Sequence, residues 1–205
     1  MPKKDAGVGL ARKIGMDEAV RRVEWINNHE AVISCFDADS LCEKNYLCAL
    51  VEHFEKNKKT TACALHFEHP LEGNEDQWIY EGIINYELHL RYYVNVLRFA
   101  HYPDAYQTIG SSMAVRSNIY QKQGGMNKRK AGEDFYFLHK IIPLGNFSEL
   151  KTTKVIPSPR ISDRVPFGTG KAIGDFMEQE DRNIYYTYNI QSFLDLKQFL
   201  EKVED

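Results

Sequence analysis

The segment Val32-Ile33-Ser34-Cys35-Phe36-Asp37-Ala38-Asp39-Ser40 constrains the fold more than any other stretch of this chain. A short apolar run with β-branched members, bounded by polar residues, reads as a buried strand, here over residues 31–36. Such a strand needs paired neighbours and covered faces, so the rest of the chain must supply both. It does so in alternation. The spacing predicts helices over 9–28, 44–56, 76–98, 132–142, 171–181 and 191–203, and strands over 60–67, 105–109, 112–116 and 149–156. In the first helix Leu10, Ile14, Val23 and Ile26 are taken as the apolar face. The third shows Ile79, Ile83, Tyr86, Leu90, Val94 and Leu97 stepping by three or four. Gly124-Gly125 marks a turn, and Pro143 closes the helix over 132–142. Alternating elements of this kind predict an α/β layered domain, with 157–170 as the one candidate internal boundary.

Composition narrows the class. The chain has 205 residues, long enough to bury one sizeable core. With 26 Lys+Arg against 29 Asp+Glu, the net charge of −3 excludes a binder driven by nucleic-acid phosphates. Aromatics at 12% exclude disorder, and no apolar run approaches the ~20 residues of a membrane span. Cys35, Cys42, Cys48 and Cys63 form no C-x-x-C pair and are expected to be reduced, small and buried.

The carboxylates that end the first strand carry chemistry. In extended backbone, residues two apart point the same way, so Asp37 and Asp39 are expected to converge. Two close carboxylates repel unless a cation relieves them, and Mg²⁺ or Mn²⁺ would bring phosphate oxygens with it. A polar strand end that caps the next helix is the bland alternative. Further on, Gly132-Glu133-Asp134 opens an amphipathic helix. Adjacent helix positions differ by about 100°, so one of the two carboxylates is expected to face a cleft. An acidic first turn that complements the helix dipole is again the plain reading.

In combination these blocks resemble a family 2 glycosyltransferase of the GT-A fold, in which a mixed sheet is flanked by helices. Gly9-Leu10-Ala11-Arg12-Lys13-Ile14-Gly15 with Ala19 is similar to the helix before the acidic strand. Phe36-Asp37-Ala38-Asp39-Ser40 is similar to the metal and nucleotide motif. Gly110-Ser111-Ser112-Met113-Ala114-Val115-Arg116, Gly124-Gly125 and Gly132-Glu133-Asp134 are similar to the acceptor-side strand, turn and base motif. The resemblance covers residues 7–142.

It implies that Asp39 binds a divalent metal and that Asp37 shares it or meets the ribose. It implies Asp134 as general base with Glu133 beside it, and single displacement with inversion. A nucleotide-diphosphate sugar would be the donor and a saccharide or lipid-linked molecule the acceptor, as in cell-surface polysaccharide assembly. The setting implied is the cytoplasm or the cytoplasmic face of a membrane. Nothing before Gly7 matches the family's first strands, so the chain is expected to begin after the N-terminal nucleotide half. No Gln-x-x-Arg-Trp follows Asp134, so single-sugar transfer is expected.

Residues 158–170 hold Arg160 and Arg164 in a Pro- and Gly-containing loop. These arginines can close over a diphosphate as a lid or simply meet water. Arg12 and Lys13 can likewise meet a phosphate or sit as exposed helix charge. His66 and His69 would point to opposite faces of a strand, which argues against a shared metal. Trp78 and Tyr80, Tyr86, Tyr92 and Tyr93 are helix-packing residues or a sugar-stacking surface. Two rivals stand. A haloacid-dehalogenase-type phosphatase also ends a strand in Asp-x-Asp, but Leu41 stands where Thr or Val is expected. A donor-deficient glycosyltransferase fragment would act as a binding module.

Overall fold

The computed structural model describes residues 6–162, 166, 168–182 and 185–204. The Met1-Pro2-Lys3-Lys4 start and Arg164 lie outside the described residues. The chain divides into two compact units, Met1–Glu68 with Thr108–Ser158 and His69–Gln107 with Pro159–Asp205.

The first unit contains the whole sheet. Its elements are α1 (Val8–Trp25), β1 (Val32–Cys35), β2 (Leu41–Cys42), α2 (Tyr46–Lys56), β3 (Ala62–Phe67), β4 (Met113–Arg116), α4 (Ser117–Lys122), α5 (Glu133–Ile141) and β5 (Ser148–Ile156). The strand order is β1-β4-β3-β5-β2. β4 runs antiparallel to both β1 and β3, with Ile33 opposite Val115 and Cys63 opposite Ala114. β3 and β5 are parallel, with a register shift between Leu65 and His66, and β2 pairs antiparallel to β5. This is the mixed sheet flanked by helices that the resemblance implies. Every residue of β4 is buried, as is all of β3 but His66, which accounts for the lack of polar alternation along Ala62–Leu65 and Met113–Val115.

Four expectations change. Residues 105–109 form no strand. Tyr106 N–H closes a local turn on Asp104 O, Gln107 donates to Leu90 O, and strand-like side chains without a ladder partner do not make a strand. β2 and α4 were not expected, because a two-residue strand and a six-residue helix are too short to show periodicity. The inward face of α1 is not Leu10, Ile14, Val23 and Ile26: Ile14 and Ile26 are exposed, and Gly9 and Met16 are buried. Cys42 and Cys48 are exposed, whereas Cys35 and Cys63 are buried as expected.

The second unit is built on α3 (Gln77–Phe99), α6 (Thr169–Glu178) and α7 (Ile190–Glu204). Asp76 caps α3 by accepting from Trp78 N–H. Ile79, Ile83 and Ile173 form its core, with Tyr86 and Met177 against it. Gly82 permits the approach of α6, since a Cβ there would lie 2.7 Å from Phe176 Cδ1. Of the tyrosines, Tyr80 is buried, Tyr86 packs against that core, and Tyr92 and the exposed Tyr93 meet Phe193 edge-on.

Candidate functional site

The two acidic motifs meet in the first unit, and an arginine joins them. Gly9, Arg12, Met16 and Val20 recur at helical spacing, so Arg12 lies on the inward stripe of α1 rather than among its solvent charges. Its side chain is 11% exposed. Nη2 donates to Asp37 Oδ1 at 2.6 Å, and Nη1 pairs with Glu133 Oε1. The guanidinium thus bridges the strand end to the start of α5.

Asp37 and Asp39 lie beyond β1 rather than within it. Ser40 N–H donates to Asp37 O at 3.0 Å and closes a turn across Ala38. The alternation expected of extended backbone therefore does not govern their directions; the turn does. Asp37 is partly exposed and Asp39 is exposed. Both offer the hard oxygen ligands that Mg²⁺ and Mn²⁺ prefer. Among the described residues no group of three His, Cys, Asp or Glu side chains is assembled for a metal. Asp37, moreover, already meets the Arg12 guanidinium at 2.6 Å.

Glu133 and Asp134 separate as adjacent helix positions must. Gly132 enters α5 with φ 68, a left-handed conformation that favours glycine. Glu133 then turns inward, 2% exposed, to Arg12, while Asp134 keeps partial exposure. Asp134 Oδ1 accepts from Phe135 N–H at 2.8 Å. Both acids have raised pKa values with burial as the largest cause; the neighbouring Asp134 charge raises Glu133 further, and Arg12 opposes both shifts. The helix N-terminus and backbone amides would favour ionisation, so burial outweighs them here.

The other expected residues fall elsewhere. Lys13 points away from the carboxylates to Asp17, 2.9 Å away, at a shallow groove of ≈ 270 Å³ that it lines with Tyr120, Gly124 and Gly125. Arg160 is exposed and belongs to the second unit. His66 meets Glu68 and His69 meets Glu87, so each histidine has its own carboxylate. The residues that sequence reasoning missed are Arg12 as a bridge and Gly110 as the seat of its guanidinium. One signal existed: an arginine spaced with Gly9 and Met16 on a single face.

The family model of glycosyl transferase family 2 matches residues 1–124. The matched span holds Arg12, Asp37, Asp39 and Gly110, while Glu133 and Asp134 lie beyond it. No curated protein and no solved structure matches the chain. No helix among the described residues is long and apolar enough to cross a membrane.

Proposed function

The chain belongs to glycosyl transferase family 2, and from that premise we propose that it moves one sugar from a nucleotide-diphosphate donor to an acceptor hydroxyl with inversion. Asp134 is the general base in this reading, and Asp37 and Asp39 would hold a divalent cation. The observation that supports it best is the Arg12 bridge. Through it, two acidic motifs far apart in the chain stand at one place, one in an exposed turn and one at a helix start.

The residues divide the work by charge and burial. A cation at Asp37 and Asp39 would neutralise the charge that develops on the leaving diphosphate. Asp134 accepts the proton of the attacking hydroxyl as its oxygen approaches the anomeric carbon. The C–O bond to the diphosphate breaks as the new one forms, on the opposite face, so the anomeric configuration inverts. Partial burial raises the Asp134 carboxyl towards the working pH, where a base is both ionised and strong enough to matter. Glu133 is engaged by Arg12 and supports the helix start rather than meeting the acceptor.

The test is sugar transfer with Mn²⁺ or Mg²⁺ by wild type, Asp39→Ala and Asp134→Asn. Loss of transfer in both variants, with normal folding, supports the reading. Transfer surviving in Asp134→Asn removes the base assignment. Calorimetry with UDP and Mn²⁺ separates a binding module, which binds without turnover, from an enzyme. Aspartyl-phosphate trapped on Asp37 during phosphoester hydrolysis would favour a phosphatase instead.

A further inference from the structure

The Arg12 guanidinium already engages one carboxylate of the acidic turn. Nη2 donates to Asp37 Oδ1 at 2.6 Å, and Nη1 pairs with Glu133. Packing keeps the group in place. It lies against Gly110, where a Cβ would run into Nη1, Cζ and Nη2 together. Its helix is closely seated as well: a Cβ at Gly9 would run into Arg129 O and lie 3.0 Å from both Asn127 O and Glu133 Cβ. Arg12 Nε, moreover, is buried without a hydrogen-bond partner among the described residues. Taking Asp37 away would leave Nη2 as a second unmet donor in the same group, and unmet buried donors are costly.

A divalent cation at Asp37 meets this arrangement as a rival. Either it takes the carboxylate and leaves Nη2 unmet, or it sits beside a guanidinium of like sign. That guanidinium belongs to a side chain only 11% exposed, where solvent screens charge weakly. Both routes weaken cation binding.

We propose that Arg12 is a resident cation of the acidic turn that competes with a divalent metal ion for Asp37. Binding of the ion and the Arg12–Asp37 pair oppose each other. The opposition is reciprocal: a bound ion loosens Arg12 from Asp37 and leaves it to Glu133 at the start of α5. The proposal rests on the reading of Asp37 and Asp39 as cation ligands and adds what regulates them. An arginine suits this task better than a lysine, because a forked guanidinium holds Glu133 with one nitrogen while another engages or releases Asp37.

The experiment titrates Mn²⁺ into the protein and follows free Mn²⁺ by electron paramagnetic resonance, with melting temperature measured alongside. Arg12→Met/Glu133→Gln removes one positive and one negative charge together, so neither net charge nor a stranded Glu133 accounts for a change. This double variant is expected to bind Mn²⁺ about tenfold tighter than wild type. Asp37→Asn is expected to weaken binding about tenfold in that background, and by under about threefold in the wild type, where Arg12 already engages Asp37. Wild-type protein supplies a second readout if the double variant fails to fold. On addition of Mg²⁺ the Arg12 Nε–H signal in ¹H–¹⁵N spectra is expected to shift until the turn is saturated. Equal or weaker Mn²⁺ binding in the folded double variant overturns the proposal. So does an equal cost of Asp37→Asn in both backgrounds, or an Arg12 signal that Mg²⁺ leaves in place. The two readings fail separately. Mn²⁺ that binds equally with and without the Arg12–Glu133 pair removes only the competition. Mn²⁺ binding that is absent from every variant, or unchanged in Asp39→Ala, removes the cation ligands themselves.

Discussion

Glu133, buried in the first unit, and Glu87, half-buried in the second, both meet an arginine, yet their acidities move in opposite directions. Glu87 accepts from His69 N–H and from the His69 ring, each at 2.9 Å, and from two nitrogens of Arg91. Burial opposes its ionisation, but these bonds win and lower its pKa from 4.5 to about 2. Glu133 has Arg12 and little else; burial and the adjacent Asp134 prevail and raise its pKa. The difference lies in how many donors face the carboxylate. Four N–H bonds make an anion that holds structure together, whereas a desolvated pair of acids sharing one cation keeps protons within reach.

The pH consequences follow with opposite signs. A lowered carboxyl contributes stability above its unfolded pKa and loses it as pH falls. The Glu87 contribution is thus complete above about pH 4.5 and fades towards about pH 2. Raised carboxyls act in reverse. Glu133 and Asp134 cost more to ionise folded than unfolded, so stability declines as pH rises past their ordinary values of 4.5 and 3.8.

The sharpest way to break this contrast is Asp134→Asn. It should lower sugar transfer by about 10²–10⁴-fold and leave the melting temperature level or higher, since a half-buried charge that is costly to ionise has gone. Near-normal kcat would place Asp134 with the structural acids. Next in size, Arg12→Met strands Glu133 inside the fold and should cost about 3 kcal/mol in chemical denaturation; a loss below about 0.5 kcal/mol would mean the Glu133 charge is relieved in another way. Glu87→Gln should cost roughly 2 kcal/mol at neutral pH and flatten the stability profile between about pH 4.5 and pH 2. An unchanged acid limb would show that other carboxyls set it. The smallest expected effect is Gly82→Ala, at about 1 kcal/mol, because Phe176 must move aside. A neutral outcome there would show that α6 shifts freely on α3.

Much of the fold was legible from periodicity. α3 shows its pattern in chain order because it is 23 residues long, and β3 and β4 show theirs because burial on both faces leaves no polar alternation. α1 was misread for a related reason. Its inward stripe is a glycine, an arginine and a methionine, and apolar periodicity cannot register a buried charge or a missing side chain. The acidic turn illustrates both limits together: Asp37 and Asp39 were identifiable as residues, but their geometry depends on the bond from Ser40 N–H to Asp37 O.

Residue order by itself determined the α/β class, the sites of the acidic motifs and the family resemblance, because each is carried by neighbours in the chain: alternation, turn glycines and short charged motifs. Only the tertiary structure decided which carboxylate turns inward, that Arg12 joins motifs 25 and 121 positions away, and that Gly110 must lack a side chain. Those outcomes depend on pairing across the fold and on how far burial outweighs charge, and neither has a local signature.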